Sequence, residues 1–165
     1  MTARWRMFVP LALSLAVALL VAGADYGLAD TARTGAIAVN REYHVNQKRI
    51  RFLGHWGFQY YMEAEGAKPL EVSWKNVDRG DIVVVPTNNT NIYDLPARSF
   101  TYIKTYLLSA SSFVGIVQPS LGAGFYADFA GPLPFAFGQM PPEKYRIYSA
   151  TGLMTPHTYS LRESE

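Results

Sequence analysis

From Met7 to Ala24 the chain is apolar, broken only by Pro10, Ser14 and Gly23. That length is near the minimum for crossing a hydrocarbon core of about 30 Å. Arg4 and Arg6 precede it, and cations before an apolar run hold the N-terminus on the cytoplasmic side. Everything after Ala24 is then expected outside the cytoplasm, in a bacterium beyond the inner membrane. Two readings share that topology. Ala22-Gly23-Ala24 is an A-x-A sequence placed where a signal peptide would be cut. An uncleaved transmembrane helix fits the length and the absence of a helix breaker after Asp25.

The remainder has the composition of a globular domain. About half of the 165 residues are apolar and 17% are charged, enough for one folded core after the leader. The expected division is residues 1–24 as leader or span, 25–160 as an extracytoplasmic α/β domain, and 161–165 as a polar tail. The net charge is only +2, and the cations are scattered. No cluster can neutralise several phosphates, so nucleic acid is not an expected partner. The absence of cysteine rules out disulfides, thiolate metal sites and a cysteine nucleophile. Tyrosine occurs eleven times; its ring and hydroxyl suit half-buried positions and contact surfaces alike.

Ala29, Ala32, Ala36, Val39 and Tyr43 recur at steps of three and four, with Ile37 beside them. They trace one narrow helical stripe that continues the apolar segment; Asp30, Arg33, Asn40 and Arg41 take the other face. Arg49 to Gly54 alternates and ends in Gly, a short strand. His55 to Glu65 follows as a helix closed by Gly66, with Pro69 as a stop signal. Leu70-Glu71-Val72 is a further short-strand candidate. Ile82 to Val85, apolar on both faces, belongs in the middle of a sheet, and Thr87 to Pro96 is a polar loop beyond it. Phe100 to Ser109, Phe113 to Val117 and Tyr145 to Tyr148 are strand candidates. Residues 119–142, rich in Pro, Gly and Phe, make an ordered loop. Strand, helix, strand favours a βαβ unit. The expected fold class is α/β: one N-terminal transmembrane helix, then a small mixed or parallel sheet flanked by helices.

The phrase Gly54-His55-Trp56-Gly57-Phe58-Gln59-Tyr60-Tyr61-Met62-Glu63 stands out. At 100° per residue, Phe58, Tyr61 and Met62 share a core face. Gly57 and Ala64 leave a bare edge open to another backbone. Trp56, Gln59, Tyr60 and Glu63 share a third side, with His55 at the helix start. Rings that stack on a flat apolar face beside amide and carboxylate groups suit a sugar or a polar lipid headgroup. The alternative, which such residues more often serve, is that Trp56 and Tyr60 pack under the long loop while Gln59 and Glu63 tie down backbone groups.

Other patterns do not complete a chemistry. His44, His55 and His157 lack metal-ligand spacing, and no G-x-S-x-G nucleophile turn occurs. No metal, cofactor or catalytic residue is therefore assigned. Gly122-Ala123-Gly124-Phe125-Tyr126-Ala127 has the letters of a dinucleotide fingerprint, but Gly131, Pro132 and Pro134 leave no room for its helix. Asn88-Asn89-Thr90 is a glycosylation sequon by pattern alone.

Phe52 to Glu63, followed by Gly66-Ala67-Lys68-Pro69-Leu70, resembles the C-terminal soluble region of bacterial membrane glycosyltransferases. These are multi-spanning enzymes related to the dolichyl-phosphate-mannose protein mannosyltransferases (glycosyltransferase family 39-like). The stretch from Ala24-Asp25-Tyr26 to Arg33 resembles the helix leaving their last span. Gly124-Phe125-Tyr126 with Gly131-Pro132-Leu133-Pro134 resembles a later part of the same region. The likeness runs from about residue 15 to 148. It implies sugar transfer from a polyprenyl-phosphate carrier to an outer acceptor, but the family's catalytic acid lies in a first external loop that has no counterpart here. The resemblance thus implies a contact module without activity alone, touching glycan acceptor, polyprenyl-phosphate sugar or a multi-span glycosyltransferase subunit. Alternatives are a secreted binding protein with a cleaved leader, a truncated or split glycosyltransferase, and a small exported enzyme.

Overall fold

A computed structural model of the chain describes residues 2–44, 49–71, 73, 77–110, 113–126 and 130–152, the first few as helix backbone alone. The elements in chain order are α1 (Thr2–Tyr43), β1 (Ile50–Phe52), α2 (Trp56–Ala64), β2 (Lys68–Pro69), β3 (Ile82–Pro86), β4 (Phe100–Leu108), β5 (Val114–Gly115), β6 (Val117–Gln118), a 3₁₀ turn (Pro119–Leu121), β7 (Ala123–Gly124), β8 (Ala136–Phe137) and β9 (Glu143–Ala150).

α1 is one helix of 42 residues, about 63 Å at 1.5 Å per residue. Leu and Ala, strong helix formers, dominate its first half. Pro10 lies inside it, a position tolerated where neighbouring groups re-satisfy the freed carbonyl. From Phe8 to Leu20 the side chains are exposed on every side of the helix. A helix apolar all round belongs in a core or a bilayer, and this one is long and apolar enough to cross a membrane. Farther along, Ala36, Val39 and Tyr43 are buried, as the stripe requires. Ala29 is exposed, so the stripe starts at Ala32. Of the opposite face, Arg33 pairs with Asp30 at 2.6 Å, whereas Asn40 donates to Glu65.

The chain divides into two units, Met1–Thr34 with Leu107–Glu143, and Gly35–Tyr106 with Lys144–Glu165. The second is built on a mixed five-stranded sheet in the order β2-β1-β3-β9-β4. β1 is parallel to both β2 and β3, with Arg51 opposite Lys68 and Val83, and α2 is the crossover between β1 and β2. β9 runs antiparallel to β3, pairing Val84 with Ile147. All five residues of β3 are buried, in keeping with its central place. On one face Leu53, Leu70, Val77, Val83, Val85 and Phe100 form a core. α2 is held by Phe58, whose ring stacks on Tyr145 at 5.1 Å and meets Phe52 edge-on at 6.0 Å.

Ion pairs close this unit's edges. The Arg49 guanidinium holds Asp78 and the buried carboxylate of Asp81 at the turn before β3. Lys104 and the Tyr106 hydroxyl both donate to Glu42, and the ammonium lies 4.5 Å from the Tyr106 ring centre. The hydrogen bond to Glu42 pushes the Lys104 ammonium up from its ordinary range. Partial burial, then the Glu42 contact, pushes the Tyr106 phenol up.

Three expectations differ from the structure. The strand expected at Leu70 to Val72 lies two residues earlier, at Lys68–Pro69; Pro69 does not stop it because β2 is an edge strand, where a missing N–H costs no ladder bond. Phe113 to Val117 is not one strand. Ile116 separates β5, paired with β8, from β6, paired with β7. Gly57 has open space where a Cβ would stand, and no backbone approaches it. Val72 and His157 lie outside the described residues.

In the first unit Ala24, Val114, Ile116, Val117 and Ala130 are buried together, with Val21, Leu28 and Phe135 packed around them. Gly27 admits this packing: a Cβ there would stand 2.4 Å from the Ala110 carbonyl oxygen. The Tyr126 hydroxyl donates to Asp25 at 2.9 Å. Gly122 to Gly124 leads into a two-residue strand rather than a helix, so the fingerprint letters carry no phosphate loop.

Phe58→Ala should cost about 3–5 kcal/mol, while Tyr60→Ala, two residues on and 69% exposed, should stay within about 0.5 kcal/mol. Denaturant unfolding of the detergent-solubilised chain checks both values; equal losses would mean that α2 packs by another face.

Candidate functional site

The aromatic phrase sits where two parallel neighbours end. β1 and β3 run side by side, so the segment after Phe52 and the loop after Pro86 emerge on the same edge of the sheet. Crevices beyond the carboxyl ends of parallel strands are common ligand positions. Here the two segments are joined by Asn89. Its Oδ1 accepts from the His55 N–H at 2.7 Å and from the Thr90 N–H at 2.8 Å. Its Nδ2 donates to the His55 carbonyl at 3.2 Å. One side chain thus grips both backbone groups of His55. Gly54, at φ +98°, lets this happen, because a Cβ would press on Pro86 at 2.9 Å and on Asn89.

The clamp explains the backbone beyond it. Trp56 begins α2 at φ +58°, in the left-handed region that costs a residue with a Cβ about 1–2 kcal/mol. His55 before it is extended and gives no side-chain cap. Bulky residues hold such a conformation only where the surroundings over-determine it. The indole is not used to fill the core: Trp56 remains 54% exposed.

The polar members form a row along one helix face at intervals of four. His55 Nδ1 lies 3.1 Å from Gln59 Oε1, and Gln59 Nε2 donates to Glu63 Oε1 at 2.8 Å. The amide nitrogen of Gln59 faces a carboxylate, so its oxygen faces the imidazole and Nδ1 carries the proton. That leaves His55 Nε2 and Glu63 Oε2 as the polar atoms not used within the row. Tyr60 lies exposed, its ring edge-on to Tyr61 at 5.2 Å. Phe58 and Met62 are buried and Tyr61 half-buried, which separates the core face from the exposed one as the helical spacing predicts.

His55, Gln59 and Glu63 are therefore brought together in one hydrogen-bonded row, and Trp56 and Tyr60 are exposed on the same helix beside it. The surface can stack against a flat ring and take hydroxyls at its polar row. Asn89 is the contributor that sequence reasoning missed. The signal for it was the Asn-rich loop following a strand parallel to β1. Among the described residues no group of three or more His, Asp or Glu side chains is arranged to hold a metal.

Trp56→Gly should raise stability by about 1 kcal/mol by removing the left-handed penalty, as read from urea unfolding. A loss of stability would show that the indole packs rather than projects.

Comparison with protein-family profiles, with curated proteins and with solved structures finds no match for this chain.

Proposed function

We propose that the chain is a single-pass membrane protein whose C-terminal α/β region lies outside the cytoplasm and serves as a contact module, without activity alone, for a glycan or the headgroup of a polyprenyl-phosphate sugar. The observation that carries the contact reading is the α2 surface, with Trp56 and Tyr60 open beside the His55–Gln59–Glu63 row. Sugar rings present an apolar face to aromatic side chains and hydroxyls to amide and carboxylate oxygens. The strained backbone at Trp56 supports it further, because a ring held outward at a cost in stability suits recognition better than packing.

Arg4 and Arg6 before the apolar run support the orientation. Retention of the helix is supported by Ala24. It closes the A-x-A sequence, yet it is 5% exposed, in the middle of a helix and inside the first unit's core. Cutting there would take Val21 and Ala24 from that core. The resemblance to the soluble tail of lipid-linked-sugar glycosyltransferases agrees with this arrangement, and in that setting a multi-span subunit is the expected companion in the inner membrane.

Calorimetric titration of the detergent-solubilised chain with soluble glycans and a polyprenyl-phosphate sugar tests the contact reading. Trp56→Ala should weaken binding about tenfold, equivalent to ~1.4 kcal/mol, with the unfolding curve of the unmodified chain retained. Binding unchanged by Trp56→Ala overturns the reading. The intact mass of the membrane-extracted protein should include residues 1–24; a mature start at Asp25 would favour the secreted alternative.

A further inference from the structure

The first unit carries more open apolar surface than its own packing uses. Phe113, Phe125, Tyr126, Leu133 and Phe137 are each about half exposed or more, far from the scattered single residues a water-facing loop shows. Their rings pair with one another, Phe113 with Phe137 at 5.6 Å and Phe125 with Tyr126 at 4.8 Å, so they form clusters rather than isolated side chains.

These loops and α1 enclose a groove of about 730 Å³. One wall is the apolar helix itself, through Leu13, Val17 and Val21; the other is Ile116, Phe125 and Phe135. The groove follows the helix from Leu13 to Asp25, about 18 Å at 1.5 Å per residue, close to the depth of one leaflet of a ~30 Å hydrocarbon core. Its polarity is graded along that length. The deep stretch is aliphatic apart from Ser14, and the Asp25–Tyr126 hydrogen bond closes the end where the apolar run stops. Beyond the groove the same helix continues with Leu11, Leu15, Leu19 and Leu20 exposed around its circumference.

From this we infer that the aromatic loops of residues 113–137 are a second membrane contact. They seat in the leaflet at the C-terminal end of the span, with a lipid acyl chain lying in the groove and its headgroup beside Asp25 and Tyr126. The inference rests on the anchored reading of α1. The occupant is a bilayer lipid because the groove's wall is the span and its open side is continuous with the span's exposed surface. The gradient from aliphatic to polar is that of a lipid, and aromatic rings are enriched at this depth of a membrane. A single helix can rotate and tilt freely; a flanking wedge fixes its rotation.

The natural absence of cysteine supplies the test. Single variants Leu15→Cys, Phe125→Cys and Leu133→Cys of the full chain are labelled with an environment-sensitive fluorophore. They are then reconstituted into vesicles of phosphatidylethanolamine and phosphatidylglycerol containing nitroxide-bearing lipid. The labels at 125 and 133 are expected to lose most of their fluorescence to shallow nitroxides, and the label at 15 to deep ones. Quenching at 15 without quenching at 125 and 133 overturns the proposal while leaving the anchor intact. That is also the result if a protein partner covers these rings. No quenching at 15 overturns the anchored reading and the proposal with it.

Discussion

The constraint on which the rest depends is the hydration of α1. Between Phe8 and Leu20 its side chains are exposed on every side of the helix, including Leu13 and Val17 where they line the groove. Each fully exposed Leu or Val forgoes about 1.5–3 kcal/mol that burial would return, so a run of them in water is untenable. Backbone polarity adds a second demand: in hydrocarbon every N–H and C=O must be paired within the segment, and a continuous helix achieves that. Both demands meet in one element, and the same helix then hands over, without a break, to residues buried in packed protein. Its sequence changes character where its surroundings do, from Leu and Val to the narrower Ala36, Val39 and Tyr43.

The α2 site illustrates the opposite economy. Nothing about helix formation asks for a left-handed tryptophan at the first position, and intrinsic preference argues against it. The conformation is fixed by a residue 34 positions away, Asn89, gripping the backbone of His55. The long-range hydrogen bonds and the Phe58 ring contacts therefore divide the labour. One sets where the helix begins, and the other sets which face is turned inward. The outward face is what remains, and its polar row is ordered by spacing of four residues rather than by anything outside the helix.

How much of this was legible in the sequence follows from which forces are local. The apolar run, the buried β3 and the division of α2 into faces were legible because periodicity and solvation act residue by residue. β2 was misplaced because Lys68–Pro69, a strand of two residues, has no alternation to mark it; Pro69 was read only as the stop of the preceding helix. Proline's prohibition applies to strands paired on both sides, and β2 is at an edge. The split of residues 113–118 into two pairings was not legible, since strands of two residues have no pattern of their own and exist only through their partners at 123–124 and 136–137. The candidate site's rings and polar groups were named in the sequence, whereas the clamp that arranges them was not. It depends on β1 and β3 being parallel neighbours, a fact of topology rather than composition.

β4 and β9 are adjacent in the sheet, yet residues 109–142 separate them in the chain. The chain leaves the sheet at one strand and returns to the place next door, so the whole aromatic stretch is an excursion that the sheet's hydrogen-bond ladder does not require. Closing a longer or shorter excursion changes the entropy cost only logarithmically. The sheet itself therefore sets no length for that stretch. What fixes it is its own packing, the pairings of β5 with β8 and β6 with β7 and the core that Val114, Ile116 and Val117 share with Ala24.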